Sequence, residues 1–204
     1  MPKVQPLIYQ LKITLKGSKP PIWRRFLVKN SMKLSQLQPA ISIIMGWGDY
    51  HLHQFFAGGM CFGVPDPEYG ADDMLDQKKY KISDFLVREK DRIGYEYDFG
   101  DSWNHTITLE KILPFDKAAV LPFCLKGKGA CPPEDVGGLW GYYEFLEAIR
   151  DEKNPEHENM KEWIGGDFDP DAFNVEDVNI RLAEVFRHPE DARPARSEEH
   201  TSEL

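Results

Sequence analysis

Apolar and polar residues alternate from Leu7 to Leu15, which puts Leu7, Tyr9, Leu11, Ile13 and Leu15 on one face of an extended segment. Gly17-Ser18-Lys19-Pro20-Pro21 interrupts the alternation as a turn, and its return from Ile22 to Val28 predicts a hairpin. The period then becomes helical. Leu34, Leu37, Ile41, Ile44 and Met45 share one stripe, with Ser35 as the expected N-cap and Gly46-Trp47-Gly48 as the stop. Pro39 is then expected in the first turn or just beyond it, where few intrahelical donors are lost.

Two short strands, Leu52 to Ala57 and Met60 to Val64, are expected either side of Gly58-Gly59, and the polar, acidic stretch 65–81 reads as an excursion. A second hairpin runs from Ile93 to Phe99 and back from Trp103 to Leu113 across Gly100-Asp101. Pro and Gly dissolve the pattern from 114 to 138. Helical spacing then returns in Leu139, Tyr142, Tyr143, Leu146 and Ile149, in Met160, Trp163 and Ile164, and in Val175, Val178, Leu182, Val185 and Phe186. Asn174 and Asp177 open the last of these as a capping-box variant. Two strands, a helix, four strands and then helices do not alternate as βαβ units. The pattern therefore predicts an α+β fold: a single-domain roll whose antiparallel or mixed sheet comes from the N-terminal two thirds, with helices packed from residue 34 and from the C-terminal third.

At 204 residues with 41% hydrophobic and 29% charged content, the chain can bury a core as one domain, spanning 5–187, without disulfides or metal. That composition excludes whole-chain disorder, collagen and coiled coil. No apolar run is long enough for a membrane span and the N-terminus lacks a signal peptide's apolar core, so a cytoplasmic protein without membrane contact is expected. Three cysteines are an odd, sparse set, read as thiols or ligands rather than a disulfide framework. Residues 188–204 are expected to form a disordered tail. Its last nine residues, from Arg196, look like the in-frame translation of a sequencing-adapter oligonucleotide, in which case the natural C-terminus is not in this sequence.

Charge changes the picture. Residues 1–48 hold eight lysines and arginines and no acid, which leaves −17 for the remainder of a chain whose net charge is −9. Lys12, Lys16, Arg24, Arg25 and Lys29 are thus candidate contacts for an anionic partner, nucleic acid first among them, or for a protein partner. The same segregation also fits an internal match with the acidic remainder. On a strand, Trp23 and Arg25 share one face and Arg24 takes the other, so at least one arginine should be exposed or paired with an acid.

The candidate chemistry is a histidine and carboxylate set. His51 and His53 are two apart, the spacing that shares a strand face, and His105, Asp98 and Asp101 lie at the end of another hairpin. Convergence to within about 8 Å would let a divalent metal or water connect them, as in a metal-dependent hydrolytic enzyme, the alternative to a binding module for nucleic acid or a protein partner, which is the role expected first. The alternative is one histidine at a turn and another packed beside Trp47 or Phe55. Cys124 and Cys131 form a candidate thiol pair, but the six residues between them exceed a zinc knuckle's spacing, and burial as small apolar groups competes. Glu134 and Asp135 are read as acids that offset the positive end of the following helix. Asp98-Phe99-Gly100 lacks every companion of a kinase site. Asp167, Asp169 and Asp171 lack the glycine and glutamate of a calcium loop, with Ala172 and Val178 in their places. Serine-nucleophile, Walker and dinucleotide signatures are absent.

Pro21-Ile22-Trp23-Arg24-Arg25, Met45-Gly46-Trp47, His51-Leu52-His53-Gln54-Phe55, the run from Tyr97 to His105, and Cys131-Pro132-Pro133-Glu134-Asp135-Val136-Gly137-Gly138 with Gly141-Tyr142 occur here in that order. Together they resemble the Ri-plasmid open-reading-frame-three family, whose members are sometimes labelled transposon passenger proteins. The resemblance spans roughly residues 5–187. It implies a compact α+β roll and a link to plasmids and mobile elements, and brings no established reaction with it.

Overall fold

Strands β1 (Leu7–Leu15) and β2 (Trp23–Lys29) pair antiparallel, with Lys12 opposite Arg25 and Thr14 opposite Trp23. The alternation builds β1 as expected: Tyr9, Leu11, Ile13 and Leu15 are buried, while Gln10, Lys12 and Thr14 stay partly exposed. The computed structural model describes residues 6–65 and 74–186. The expectations for residues 188–204, and for the 66–73 part of the excursion, lie outside that range.

Helix α1 (Leu34–Met45) follows, capped by Lys33 rather than Ser35, because the Gln36 side chain accepts the Lys33 N–H at 3.1 Å. Pro39 lies further inside the helix than its first turn. Gly46 ends the helix at a φ of 119°, which a side chain rarely tolerates, and its N–H donates to the Ser42 carbonyl at 2.8 Å. The remaining strands are β3 (His53–Ala57), β4 (Met60–Gly63), β5 (Leu75–Asp76), β6 (Arg92–Tyr97), β7 (Trp103–Pro114) and β8 (Phe123–Lys128). Helices α2 (Gly138–Arg150), α3 (His157–Ile164) and α4 (Val175–Phe186) follow among the described residues. The Asn174 side chain accepts the Glu176 and Asp177 N–H groups at the start of α4.

One eight-stranded sheet results, in the order β5-β4-β3-β6-β7-β1-β2-β8, antiparallel except where β4 meets β5. The fold is thus the expected α+β arrangement with a mixed sheet. Two of its strands are absent from the sequence reading. β5 is only two residues long, and β8 shows a single fully buried side chain, Cys124, too little to register as alternation. β8 is an edge strand, and α4 closes it: the Cys124 N–H donates to Asn179 Oδ1 at 2.7 Å and the Asn179 amide donates to the Cys124 carbonyl at 2.9 Å.

The core lies between α1 and the inner sheet face, where Leu11, Ile13, Phe26, Ile44, Tyr95 and Leu109 are fully buried. Arg24 is there too, at 1% exposure. Its guanidinium donates to the carbonyls of Ile44 (3.0 Å), Met45 (3.4 Å), Trp23 (3.0 Å) and Lys128 (2.9 Å), and lies 4.0 Å over the Phe173 ring. Arg24 is therefore no anion contact; it neutralises the carbonyl end of α1, because its position on β2 faces inward with Phe26 and Val28. No helix among the described residues is long and apolar enough to cross a membrane.

Candidate metal site

Three loops meet at one end of the sheet, and Trp47 joins them. It follows the Gly46 stop, its ring stacks on Tyr97 with centroids 4.8 Å apart, and its indole N–H donates to the Pro132 carbonyl at 3.1 Å. The 131–137 loop is thereby held against the end of β6. Tyr97 donates its hydroxyl proton to Glu134 Oε1 at 3.2 Å and accepts the Tyr50 N–H at 3.2 Å. Burial and the adjacent Glu134 charge push its phenol well above the ordinary range, so it stays a donor. Gly48 N–H donates to the same Glu134 oxygen at 2.7 Å.

The turn after β6 supplies Asp98, at a φ of 59°, which aspartate tolerates better than most residues. Its Oδ1 accepts the Gly100 N–H at 2.9 Å, which fixes the turn and leaves Oδ2 3.7 Å from His51 Nδ1. The other imidazole nitrogen of His51 lies 3.5 Å from Glu134 Oε2 and 3.5 Å from Asp135 Oδ1. One donor atom each from His51, Asp98 and Asp135 lies within 4.8 Å of the other two. Glu134 Oε2 is buried without a hydrogen-bond partner among the described residues, a costly state for a carboxylate oxygen.

Asp101 serves the same junction without joining the donors. Its carboxylate accepts the Gly137 N–H at 3.2 Å, and its carbonyl lies 2.4 Å from where a side chain at Gly138 would begin. Two candidates belong elsewhere. His53 bonds Gln77 at 3.0 Å, and burial lowers its pKa. His105 is fully buried, edge-on to Trp47 at 5.3 Å, with both ring nitrogens unpartnered among the described residues, and burial brings its pKa down to about 3. The shared-face argument fails because β3 begins at His53, so strand alternation does not extend back to His51.

The thiols do not form a site. All three cysteines are free, and no group of three metal-type donors among the described residues includes Cys124 or Cys131. Burial pushes the Cys124 thiol up to about 11 and the Cys131 thiol higher still. Of the cationic candidates, Lys16 and Lys29 are exposed, Lys12 lies over the Trp23 ring at 4.8 Å, and Arg25 pairs with both oxygens of Glu110 at 2.5 and 2.8 Å.

Glu134 and Asp135 do more than border a helix start. Helix α2 is capped by Gly137 with no side-chain bond and carries no acid in its first turn, while both acids face His51. Two adjacent acids in a loop bounded by Pro-Pro and Gly-Gly were the available signal, since such loops hold functional groups on a rigid frame. Asp135 also lines a cavity of about 540 Å³ beside α2 and α3, with Glu144, Glu147 and Glu156 among its walls and Phe145, Met160 and Trp163 as its apolar surface.

Comparison with known proteins agrees with this architecture. A protein from Sinorhizobium fredii (strain NBRC 101917 / NGR234), named uncharacterized protein y4hQ, is 37% identical over 174 residues, covering 84% of this chain and 89% of its own. The crystal structure of a protein of unknown function, MM3350 from Methanosarcina mazei Go1, superimposes with a TM-score of 0.76 at 40% identity, covering 85% of this chain and 98% of that one. Residues 7–177 match the model of the plasmid pRiA4b ORF-3-like proteins, and the chain belongs to that family.

Proposed function

We propose that the protein is a metal-dependent hydrolytic enzyme. In this reading His51, Asp98 and Asp135 hold one divalent cation and Glu134 acts as general base. The convergence of three donors from three loops within 4.8 Å supports the reading. An imidazole with two carboxylates suits zinc, manganese or ferrous iron, and three protein ligands leave positions open for water. A cation held there would lower the pKa of its bound water, towards neutrality in the case of zinc. Gly48 and Tyr97 fix one oxygen of Glu134 and leave the other shielded beside His51, placed to take the water's proton.

The cavity bears on substrate. Four carboxylates and no lysine or arginine line it, which disfavours phosphate esters and favours a neutral or cationic amide or ester with an apolar portion. The test is calorimetric titration with zinc and manganese. One equivalent should bind, and Asp98→Asn should weaken it by on the order of 100-fold. Glu134→Gln should retain the metal and lose turnover of chromogenic amides or esters. Absence of stoichiometric binding, or unchanged affinity in Asp98→Asn, rejects the site.

A further inference from the structure

Four adjacent strands, β7, β1, β2 and β8, contain a single acidic residue, Glu110, in a chain whose net charge is −9. With Arg24 buried, their remaining cations are Lys12, Arg25, Lys29, Lys111, Lys126 and Lys128. Register aligns several of them. Arg92 of β6, Thr108, Lys12, Arg25 and Lys126 stand directly opposite one another across five strands, a row of about 19 Å at the usual strand spacing. Directly opposed residues share a face, and Lys12 and Arg25 alternate with buried neighbours, so the row lies on the outer face, away from α1. The next row holds Thr106, Thr14, Trp23 and Lys128.

Trp23 is half-buried, with Lys12 Nζ 4.8 Å and Arg25 Cζ 5.2 Å from its ring centre. An aromatic ring amid a row of cations on an open sheet is what a single nucleic-acid strand needs, with bases stacked on the ring and phosphates along the charges. A duplex offers no unpaired base to Trp23. We propose that this outer face binds single-stranded nucleic acid, with Trp23 as the stacking residue and Lys12, Lys126 and Lys128 as phosphate contacts. Arg25, already held by Glu110, orients the row. This face is independent of the metal site, and neither proposal requires the other.

Fluorescence anisotropy with a labelled oligothymidylate, without added metal, tests it. Binding should weaken steeply with salt. The double variant Lys126→Ala/Lys128→Ala, both exposed positions, should lower the log-log salt slope by about 1.4, at about 0.7 per lost phosphate contact. Trp23→Leu should leave the slope unchanged and weaken binding roughly five- to a hundredfold. Circular dichroism checks that each variant is folded. No binding at low salt, equal binding by folded lysine variants, or tighter binding to duplex than to single strand overturns the proposal.

Discussion

Arg24 Nε donates to the carbonyl of Ile44 at 3.0 Å, so the second strand and the last turn of α1 are tied by a charge with no exposure to solvent to compensate its loss. Arg24→Ala should therefore destabilise the fold by about 3–5 kcal/mol, through unpaired carbonyls and a cavity together. Arg25→Ala, one residue on, should cost under about 1 kcal/mol, since its pair with Glu110 is partly exposed. Urea denaturation of the two variants checks the contrast; equal losses would refute it.

Acid should expose His105. Its folded pKa of about 3 lies below the ordinary value near 6.5, so the unfolded chain binds the extra proton first. The stability this residue contributes is fully present above about pH 6.5 and is lost as pH falls towards 3, by up to ~1.4 kcal/mol per unit. Unfolding free energies measured at pH 7.5, 6 and 5 should fall less steeply for His105→Leu than for the native chain, whatever the variant's baseline. Parallel pH profiles would show that His105 is not held neutral.

Gly138→Ala should weaken divalent-cation binding although no donor is touched. A β-carbon there would sit 2.4 Å from the Asp101 carbonyl at a φ of 67°, so the loop carrying Glu134 and Asp135 must lift from the Asp98 turn. Calorimetry should register a tenfold loss or more, the scale of a disturbed supporting contact. Native affinity in the variant would mean that this docking does not shape the site.

Removing Asn179 should open the sheet edge. Asn179→Ala leaves both main-chain groups of Cys124 without their partner, a loss of about 1–3 kcal/mol. Hydrogen exchange at the Cys124 amide should accelerate markedly while exchange in β1 changes little. Uniform acceleration across the sheet would indicate global rather than local opening.

Elements with strong periodicity were legible from the sequence. β1 shows four inward side chains and α1 a full apolar stripe, so each carries enough repeats to declare its face. β8 and β5 carry too few. At the site, residue type nominates His51 and Asp98 but nominates His53 and His105 equally, because it does not reveal which histidine is core. Glu134 and Asp135 stand, in sequence, only as neighbours of a helix start; their partner His51 is brought to them by the stack of Trp47 on Tyr97, a tertiary contact that no sequence window contains.

The cluster draws on the loop after α1, the turn after β6 and the loop before α2, stretches that meet only through folding. Any cation held there would act as a rivet through all three, adding RT ln(1 + [M]/Kd) to the free energy of unfolding. The melting temperature would then report metal occupancy, and a chelator would loosen the first helix, the central hairpin and the C-terminal helices in a single event.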